Sequence, residues 1–285
     1  MMKNVGFIGL GEMGLPTAKR LAAHGFQVTV CGHVRPGPVE AMRAVGAKVV
    51  ATPKEVALAS EVTITMVRDE LESAEVISGP GSLLEGAAKG SGIILSSTLP
   101  PAFCRKMAKL AKAKGVDVLD APVAGAPLQA ETGEQGIYVG GERDVVERYR
   151  PVLETMGQVL HCGDIGMGEV IKLVNNMLAC INGLAVSESL SWGVRNGATE
   201  EELIKYVKMG SGTSWIVENF QWVRPMWGNE ADPQPLTWKI AAKDLSYALK
   251  IGLEIRQPCP MVGLACELYK GNTPKIPSTY LDNSA

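Results

Sequence analysis

The sequence predicts an α/β protein in two parts: a doubly wound, mostly parallel sheet over residues 1–163, followed by an all-α domain over residues 164–285. In the first part, short β-rich runs alternate with helical patterns, which is typical of a parallel sheet covered by helices on both faces. From Gly166 onward the pattern is helical, and no convincing strand follows. The first strand also leads into a glycine-rich turn, which is typical of nucleotide-binding α/β domains.

The elements follow one another in this pattern along the chain. The early strands are nearly continuous apolar runs, as expected for strands buried on both faces. A segment rich in Pro, Gly, Asn and Asp, residues 225–235, is predicted to be a loop. The predicted strands are residues 5–8, 27–30, 62–66, 93–96, 116–119, 137–139 and 159–161. The predicted helices include residues 102–114, 142–155, 166–195, 200–208, 240–251 and 261–269.

Composition and charge argue against several classes of protein. The chain has 285 residues, of which 46 % are hydrophobic and 20 % charged, as is ordinary for a soluble globular protein. The formal net charge of −2 produces no field that would recruit nucleic acid or an acidic membrane. The first strand begins too close to Met1 for a signal peptide, and the most apolar stretch, residues 177–186, is interrupted by Asn182. We therefore expect a cytoplasmic protein without a nucleic-acid or membrane partner.

The cysteines and histidines indicate no metal centre. The chain has six cysteines and no C-x-x-C pair, which is typical of free thiols in a reducing cytoplasm. Its three histidines are scattered and do not have the spacing of a zinc motif. We therefore expect no metal site.

Residues 4–30 contain a strand, a glycine turn, an amphipathic helix and a second strand, in that order. Gly9, Gly11 and Gly14 have the G-x-G-x-x-G spacing. In this motif the first glycine permits the tight turn, the second lets a pyrophosphate approach the backbone, and the third lets the helix pack on the strand. The N-terminus of the helix then favours an anion. This context predicts dinucleotide binding in a Rossmann-like domain, with a plain glycine-rich turn as the alternative.

The end of the second predicted strand indicates which dinucleotide is bound. In NAD-selective folds an Asp or Glu near this point binds the ribose 2′-hydroxyl. Here Cys-Gly-His-Val-Arg follows Val30, and no carboxylate occurs before Glu40. Arg35 and His33 could hold a 2′-phosphate through charge-assisted hydrogen bonds, or they could be ordinary solvated loop residues. We expect NADP(H) as the cofactor in preference to NAD(H).

A second candidate site lies at the start of the long predicted helix, where the sequence reads Gly-Met-Gly-Glu-Val-Ile-Lys-Leu-Val-Asn-Asn. Lys172 and Asn176 are four residues apart, so they share one face of a helix whose neighbouring residues are apolar. A lysine and an amide in such a place indicate a polar function. The alternative is a surface lysine whose stem lies along apolar residues while its amine reaches solvent. Spacing alone leaves both interpretations open.

Four motifs together resemble the β-hydroxyacid dehydrogenase family, which contains 3-hydroxyisobutyrate dehydrogenase and the glyoxylate and succinic semialdehyde reductases. They occur in the family's order and span almost the whole chain. They are Gly9-Leu10-Gly11-Glu12-Met13-Gly14, Asp120-Ala121-Pro122-Val123-Ala124-Gly125, the run from Gly166 to Asn176, and Lys243-Asp244-Leu245. The family's fold, a Rossmann-like domain followed by a helical domain, agrees with the pattern described above.

The resemblance implies a role for each matching residue. Lys172 corresponds to the catalytic lysine, a general acid in reduction and a general base in oxidation, and Asn176 to the residue that orients the substrate. The first motif corresponds to the cofactor-binding turn. The other implied positions are Met66 and Val67 at the cofactor, Thr98 at cofactor and substrate, Ala124, Gly125 and Ala126 at the substrate, and Lys243 and Asp244 closing the site at the cofactor and the substrate. By itself, Lys-Asp is more often a surface ion pair.

This chain also departs from the family pattern. Ala124 stands where the family usually has a serine whose hydroxyl helps to bind the substrate carboxylate. The backbone N–H groups of Gly125 and Ala126 could still serve as donors. Residues 126–129 replace a more glycine-rich stretch, and Arg68 stands where proline is common. These changes predict an altered substrate pocket with the same type of reaction.

Two other functions remain open from the sequence. Imine reductases share the fold but usually lack the lysine, so Lys172 argues against this function while Ala124 and Pro127 favour it. A non-catalytic dinucleotide-binding module would typically lack the lysine as well. We expect a small-molecule substrate and a homodimer or homotetramer, since members of this family associate.

Overall fold

The structure, a computed structural model, describes residues 2–32, 35–227 and 236–271. A mostly parallel sheet with helices is followed by a helical region, so the predicted fold class is confirmed. The chain divides into two compact units, Met1–Lys172 and Leu173–Ala285. The predicted domain boundary, between residues 163 and 164, lies shortly before this division and stays a prediction.

The sheet of the first unit contains the seven strands that the sequence predicts and two that it does not. The strands are β1 Asn4–Ile8, β2 Gln27–Cys31, β3 Lys48–Val50, β4 Val62–Thr65, β5 Gly92–Leu95, β6 Asp117–Asp120, β7 Val123–Ala124, β8 Gln135–Gly140 and β9 Gly157–Gly163. The two additional strands, β3 and β7, have three and two residues. Such short strands show no hydrophobic period, so only their pairing with β2 and β8 identifies them.

The strand order is β3-β2-β1-β4-β5-β6-β8-β7, with β9 paired to β8. The pairs among β1 to β6 are parallel, whereas β8 is antiparallel to β6 and β7. The order reverses between β1 and β4, and doubly wound sheets bind ligands beyond the C-terminal ends of the strands at such a point. The backbone N–H of Met66 donates to the carbonyl of Ile8 at 2.8 Å, so the loops after β1 and β4 begin side by side.

Each face of this sheet has its own buried cluster. Phe7 and Ile94 belong to one cluster, while their chain neighbours Ile8 and Ile93 belong to the other. Successive side chains of a strand point to opposite faces, so a strand covered on both sides is apolar at most of its positions. This burial explains the continuous apolar runs in the sequence.

The helices of the first unit cover both faces of the sheet and begin with recognisable signals. Four of them, α2, α3, α6 and α7, have proline in the first turn, where its missing N–H costs no hydrogen bond. The eight helices are α1 Gly14–Ala23, α2 Pro36–Ala44, α3 Pro53–Leu58, α4 Glu70–Ser78, α5 Leu83–Gly86, α6 Pro101–Lys112, α7 Pro127–Thr132 and α8 Arg143–Met156.

The described residues of the second unit form helices joined by turns and loops, and no strand. Helix α9, Met167–Arg195, begins in the first unit and supplies the first residues of the second. The other helices are α10 Glu200–Val207, α11 Trp215–Glu218, α12 Phe220–Val223, a 3₁₀ turn Arg224–Trp227, α13 Leu236–Glu254 and α14 Pro260–Tyr269. The predicted loop begins at residue 225, but residues 225–227 belong to the 3₁₀ turn, and residues 228–235 lie outside the described residues.

Helix α9 is, within the described residues, long and apolar enough to cross a membrane by length and composition, with a mean hydropathy of 1.4. This helix is not an uninterrupted apolar stretch, because Glu169, Lys172 and Asn182 lie within it, but a few polar residues lower the mean hydropathy of a long helix only slightly. Helices of soluble proteins also reach these values, so the finding assigns no membrane partner.

Candidate active site

The glycine turn after β1 is built by three glycines that serve different purposes. Gly9 has a φ of +103°, and a Cβ there would collide with the carbonyl oxygen of Met66. A Cβ at Gly14 would collide with the carbonyl oxygen of Gly9. By contrast, a Cβ at Gly11 would meet nothing within 4 Å. The protein's own packing therefore requires Gly9 and Gly14, while Gly11 leaves open space.

That open space lies at the N-terminus of α1, where no side chain caps the helix at its N-cap residue Met13. Amide groups at an uncapped helix N-terminus attract an anion, and the missing side chain at Gly11 leaves room for a phosphate. The turn, which includes Leu10 and Glu12, therefore fits the pyrophosphate of a dinucleotide.

The loops after β4 and β5 lie beside this turn at the C-terminal edge of the sheet. The backbone N–H of Val67 donates to the Oγ of Ser97 at 2.8 Å, which ties the two loops together. Thr98, half-buried, follows Ser97 in the same loop. The structure thus places Met66, Val67 and Thr98 at the edge predicted for the cofactor.

Between the end of β2 and Glu40, the described residues contain no carboxylate side chain. Cys31 is buried there, and burial raises the pKa of its thiol to about 11, so this thiol remains protonated at neutral pH. Arg35 is exposed directly before α2, where a guanidinium has room to meet a phosphate. His33 lies outside the described residues.

After β6, the backbone N–H of Ala126 is not available to a substrate, contrary to the expectation from the sequence. The N–H of Ala126 donates to the Oε1 of Gln129 at 2.6 Å, so this amide already has a partner within the protein. The expectation that the Ala126 N–H remains available for a substrate carboxylate is therefore wrong for this conformation. Gly125, with a φ of +154°, precedes it, and Ala124 lies in β7 without a hydroxyl.

The start of α9 is held by the last residue of β6. Asp120, fully buried, accepts the N–H of Gly166 at 2.5 Å through Oδ1 and the N–H of Glu169 at 2.9 Å through Oδ2. Lys172 follows one turn later and is half-buried. The helix that carries the predicted general acid therefore begins at the C-terminal edge of the sheet, which also carries the predicted cofactor loops.

Within the second unit, Asn176 and the Lys243-Asp244 pair come together. The Nδ2 of Asn176 donates to the Oδ2 of Asp244 at 2.6 Å, and the Nζ of Lys243 lies 2.6 Å from its Oδ1. Asp244 is 1 % exposed, so this is a buried carboxylate with a partner on each oxygen. Lys243 also lies over the ring of Tyr247, 4.8 Å from its centroid. The alternative of an exposed surface ion pair is therefore excluded for Asp244.

Three residues that were not predicted as site residues hold parts of the candidate site in position. Ser97 holds the Val67 loop, Gln129 occupies the Ala126 amide, and Asp120 anchors α9. Asp120 was visible as the first residue of a motif, and a carboxylate at a strand end is a candidate helix cap. Gln129 is the third residue of α7, where a Gln or Glu side chain commonly accepts the N–H of the N-cap residue, so its position is a local signal. No local signal marks Ser97, because its partner Val67 is 30 residues away in the sequence. The roles of all these residues in binding and catalysis stay predictions.

Two family models match the chain and together cover nearly all of it. The NAD binding domain of 6-phosphogluconate dehydrogenase matches residues 4–166. The NAD-binding domain of NADP-dependent 3-hydroxyisobutyrate dehydrogenase matches residues 166–278. Both models describe dinucleotide binding, in agreement with the glycine turn.

Individual relatives are similar over almost their full length. The chain is 35 % identical to 2-(hydroxymethyl)glutarate dehydrogenase of Eubacterium barkeri, covering 94 % of this chain and 88 % of the relative. It is 33 % identical to the mitochondrial 3-hydroxyisobutyrate dehydrogenase of Mus musculus, covering 93 % and 81 %. It is 30 % identical to an NAD-dependent L-serine dehydrogenase of Pseudomonas aeruginosa, covering 94 % and 92 %.

Solved structures show the same relationship. The Mycobacterium tuberculosis 3-hydroxyisobutyrate dehydrogenase with L-serine has a TM-score of 0.82 at 26 % identity, with 95 % of this chain and 94 % of that chain covered. An imine reductase of Streptomyces aurantiacus, at 19 % identity, covers 94 % and 93 % with a TM-score of 0.67 and shares the fold alone. From its glycine turn, its ordered motifs and these similarities, the chain belongs to the β-hydroxyacid dehydrogenase family of NAD(P)-binding oxidoreductases.

Proposed function

We propose that the protein is an NADP-dependent oxidoreductase that interconverts a small β-hydroxy acid and the corresponding aldehyde or keto acid, with Lys172 as general acid and base. One observation carries the proposal. The glycine turn, the Met66–Val67 loop and the start of the Lys172 helix all lie at the C-terminal edge of one sheet. Ligands of doubly wound sheets bind at this edge.

The chain's own residues have distinct tasks in this reaction. The turn from Gly9 to Gly14 binds the pyrophosphate, and the nicotinamide, when bound, supplies or accepts the hydride. The Lys172 ammonium donates a proton to the substrate carbonyl oxygen in reduction, and the neutral amine removes it in oxidation. Asn176, one turn further along α9, orients the substrate, and Asp244 holds the Asn176 amide.

The preference for NADP(H) rests on the end of β2. No carboxylate is found there to bind a ribose 2′-hydroxyl, and Arg35 is exposed where it can pair with a 2′-phosphate. A comparison of turnover with NADPH and NADH tests this preference. A strong preference for NADH would remove Arg35 from the site.

The substrate class is supported by the names of the relatives. 3-Hydroxyisobutyrate and L-serine both carry a hydroxyl on the β-carbon of a carboxylic acid, and these relatives align with 93 % and 94 % of this chain. Because Ala124 supplies no hydroxyl and the Ala126 amide is occupied, fewer donors face a substrate carboxylate here. We infer a substrate that differs from hydroxyisobutyrate around its carboxylate end.

Replacement of Lys172 by alanine tests the mechanism. The variant should lose about 100-fold or more in kcat, since general acid and base catalysis contributes about 10² to 10⁴. Its dissociation constant for NADPH, measured by fluorescence titration, should change little. Lys109→Ala, which removes an exposed lysine of α6, is the matched control and should behave as the unaltered protein. Full activity of K172A would rule out this mechanism.

An imine reductase is the second candidate, favoured by Ala124 and Pro127 and opposed by Lys172. The fold is compatible with both activities. Assays of a cyclic imine beside succinic semialdehyde and glyoxylate separate them, and we expect turnover of the carbonyl substrates. Turnover of the imine alone would favour the second candidate. NADPH binding without turnover of any carbonyl or imine substrate would indicate a non-catalytic module.

We also propose that the protein associates into a homodimer or homotetramer in the cytoplasm. The apolar side chains of Val174, Leu178 and Trp192 on α9 are exposed by 49 %, 59 % and 71 %. Exposed apolar residues along one helix favour association with a second copy. All six cysteines are free thiols, which suits a reducing compartment. Light scattering should give a multiple of 30.3 kDa, and a mass of one chain would contradict the proposal.

A further inference from the structure

The Asp120 carboxylate, in the first unit, accepts hydrogen bonds from the backbone at the start of α9 and has no part in the proposed reaction so far. It is fully buried, and its two oxygens accept the N–H groups of Gly166 and Glu169. Gly166 and Glu169 follow Asp120 in the sequence by 46 and 49 positions. This side chain therefore fixes one end of α9 against the end of β6.

The surroundings of Asp120 are shaped to receive it. A Cβ at Gly140 would collide with its Oδ1, and a Cβ at Gly168 would lie 2.9 Å from its Oδ2. Gly140 belongs to β8, whereas Gly168 belongs to the first turn of α9. Both β8 and α9 therefore have glycine where they pass the carboxylate. Neither position could become alanine without a shift of the carboxylate or the backbone.

The energetics make this contact a strong restraint on the helix. Burial raises the pKa of Asp120, and the N–H groups of Gly166, Glu169 and Gly168 oppose that effect because they favour the anion. If the carboxylate lost these donors, it would remain buried without hydrogen-bond partners, which is costly in free energy. Movement of the first turn of α9 is therefore coupled to the exposure of a buried polar group.

Lys172 lies three residues beyond Glu169, on the following turn of the same helix. A helix is stiff over one turn, so the height and rotation of its first turn determine where the amine of Lys172 points. Reacting groups must be placed within a fraction of an ångström, and a displacement of about 1 Å costs on the order of 10² in rate. The position of the Lys172 amine therefore depends on the hydrogen bonds that Asp120 accepts from the start of α9.

We propose that Asp120 is a positioning residue for Lys172: it fixes the first turn of α9 so that the lysine faces the reacting carbonyl. The inference rests on the proposed role of Lys172. Asp120 itself does not touch the substrate in this scheme. It acts through the backbone amides of the helix.

A double-mutant cycle tests this inference with the full-length protein. Asp120→Asn should lower kcat about tenfold in the unaltered background. NADPH affinity should stay within about twofold, and kcat is counted per NADPH-binding site so that unfolded protein does not enter. In the K172A background, which retains a low residual turnover, D120N should cause no further loss, because residues that act as one unit are not additive.

The matched control is Glu61→Gln. Glu61 also accepts two backbone N–H groups, those of Lys3 and Asn4 at 2.8 and 3.0 Å, but at the opposite edge of the sheet. This variant should leave kcat unchanged in both backgrounds. Where D120N does not fold, Asp120→Ser, with a smaller acceptor, is carried through the same cycle.

The outcomes separate the two proposals. An equal loss from D120N in both backgrounds, or no loss in either, would overturn the positioning role and leave the role of Lys172 intact. Full activity of K172A by itself would overturn both. Loss of NADPH binding in D120N with unchanged kcat per bound site would show that Asp120 supports only the cofactor domain.

Discussion

Asn176 and Asp244, 68 residues apart in the sequence, are joined by a hydrogen bond of 2.6 Å from the amide Nδ2 to the carboxylate Oδ2. The other oxygen of Asp244 lies 2.6 Å from the Nζ of Lys243. A single buried carboxylate therefore sets the orientation of an amide on α9 and of an ammonium on α13. Two motifs that are far apart in the sequence form one polar cluster in the second unit.

Asp244→Asn should lower kcat/KM about 10- to 100-fold, because hydrogen bonds to a charged group contribute about 1.5–3 kcal/mol. The neutral amide would remove the negative charge beside Lys243 and would let Asn176 turn. Steady-state kinetics with saturating NADPH measure the effect. The control is Glu267→Gln, which removes the carboxylate of an exposed ion pair with Lys270 in α14. If both variants were equally active, the cluster would have no role in turnover.

Alanine at Gly11 and alanine at Gly9 should have different effects. A Cβ at Gly11 has open space, so G11A should keep the thermal stability of the protein while the dissociation constant for NADPH rises about tenfold or more. Gly9 has a positive φ and no room for a Cβ, so G9A should also destabilise folding by more than about 1 kcal/mol. Calorimetry and fluorescence titration measure the two quantities. Unchanged NADPH affinity of G11A would contradict the proposed pyrophosphate site.

Arg35→Ala should raise the KM for NADPH about tenfold and leave the KM for NADH nearly unchanged, since only NADPH has the 2′-phosphate. Arg43→Ala is the control, because Arg43 lies on α2, the helix that follows Arg35, and pairs with Glu40. Initial rates with each nucleotide measure the ratio. An equal change for both nucleotides would place Arg35 away from the phosphate.

Ala124→Ser should raise activity on small β-hydroxy acids, because it restores a hydroxyl donor for the substrate carboxylate. Gln129→Ala should act in the same direction, since it releases the N–H of Ala126. We expect each change to lower the KM for the acid by several-fold, consistent with one hydrogen bond of about 1 kcal/mol. Leu128→Ala, at an exposed position of α7, is the control. Unchanged KM values in both variants would remove this segment from the carboxylate site.

The strands and helices that are long enough to show a hydrophobic run or period could be predicted from the sequence. β1 ends in Phe7-Ile8 and β5 contains Ile93-Ile94-Leu95, apolar at consecutive positions because both faces of the sheet are covered. Recognising such a run needs no knowledge of its partner strands. β3 and β7 could not be predicted, because two or three residues show no period and depend on neighbouring strands.

The amino-acid sequence was sufficient to identify the dinucleotide-binding turn, the order of the motifs and the family, because glycine spacing and hydrophobic periods are local properties of the chain. The folded chain was needed to show that Asp120 anchors α9 and that Asp244 holds Asn176. Hydrogen-bond partners depend on distances in space, and residues 46 or 68 positions apart have no fixed distance until the chain has folded.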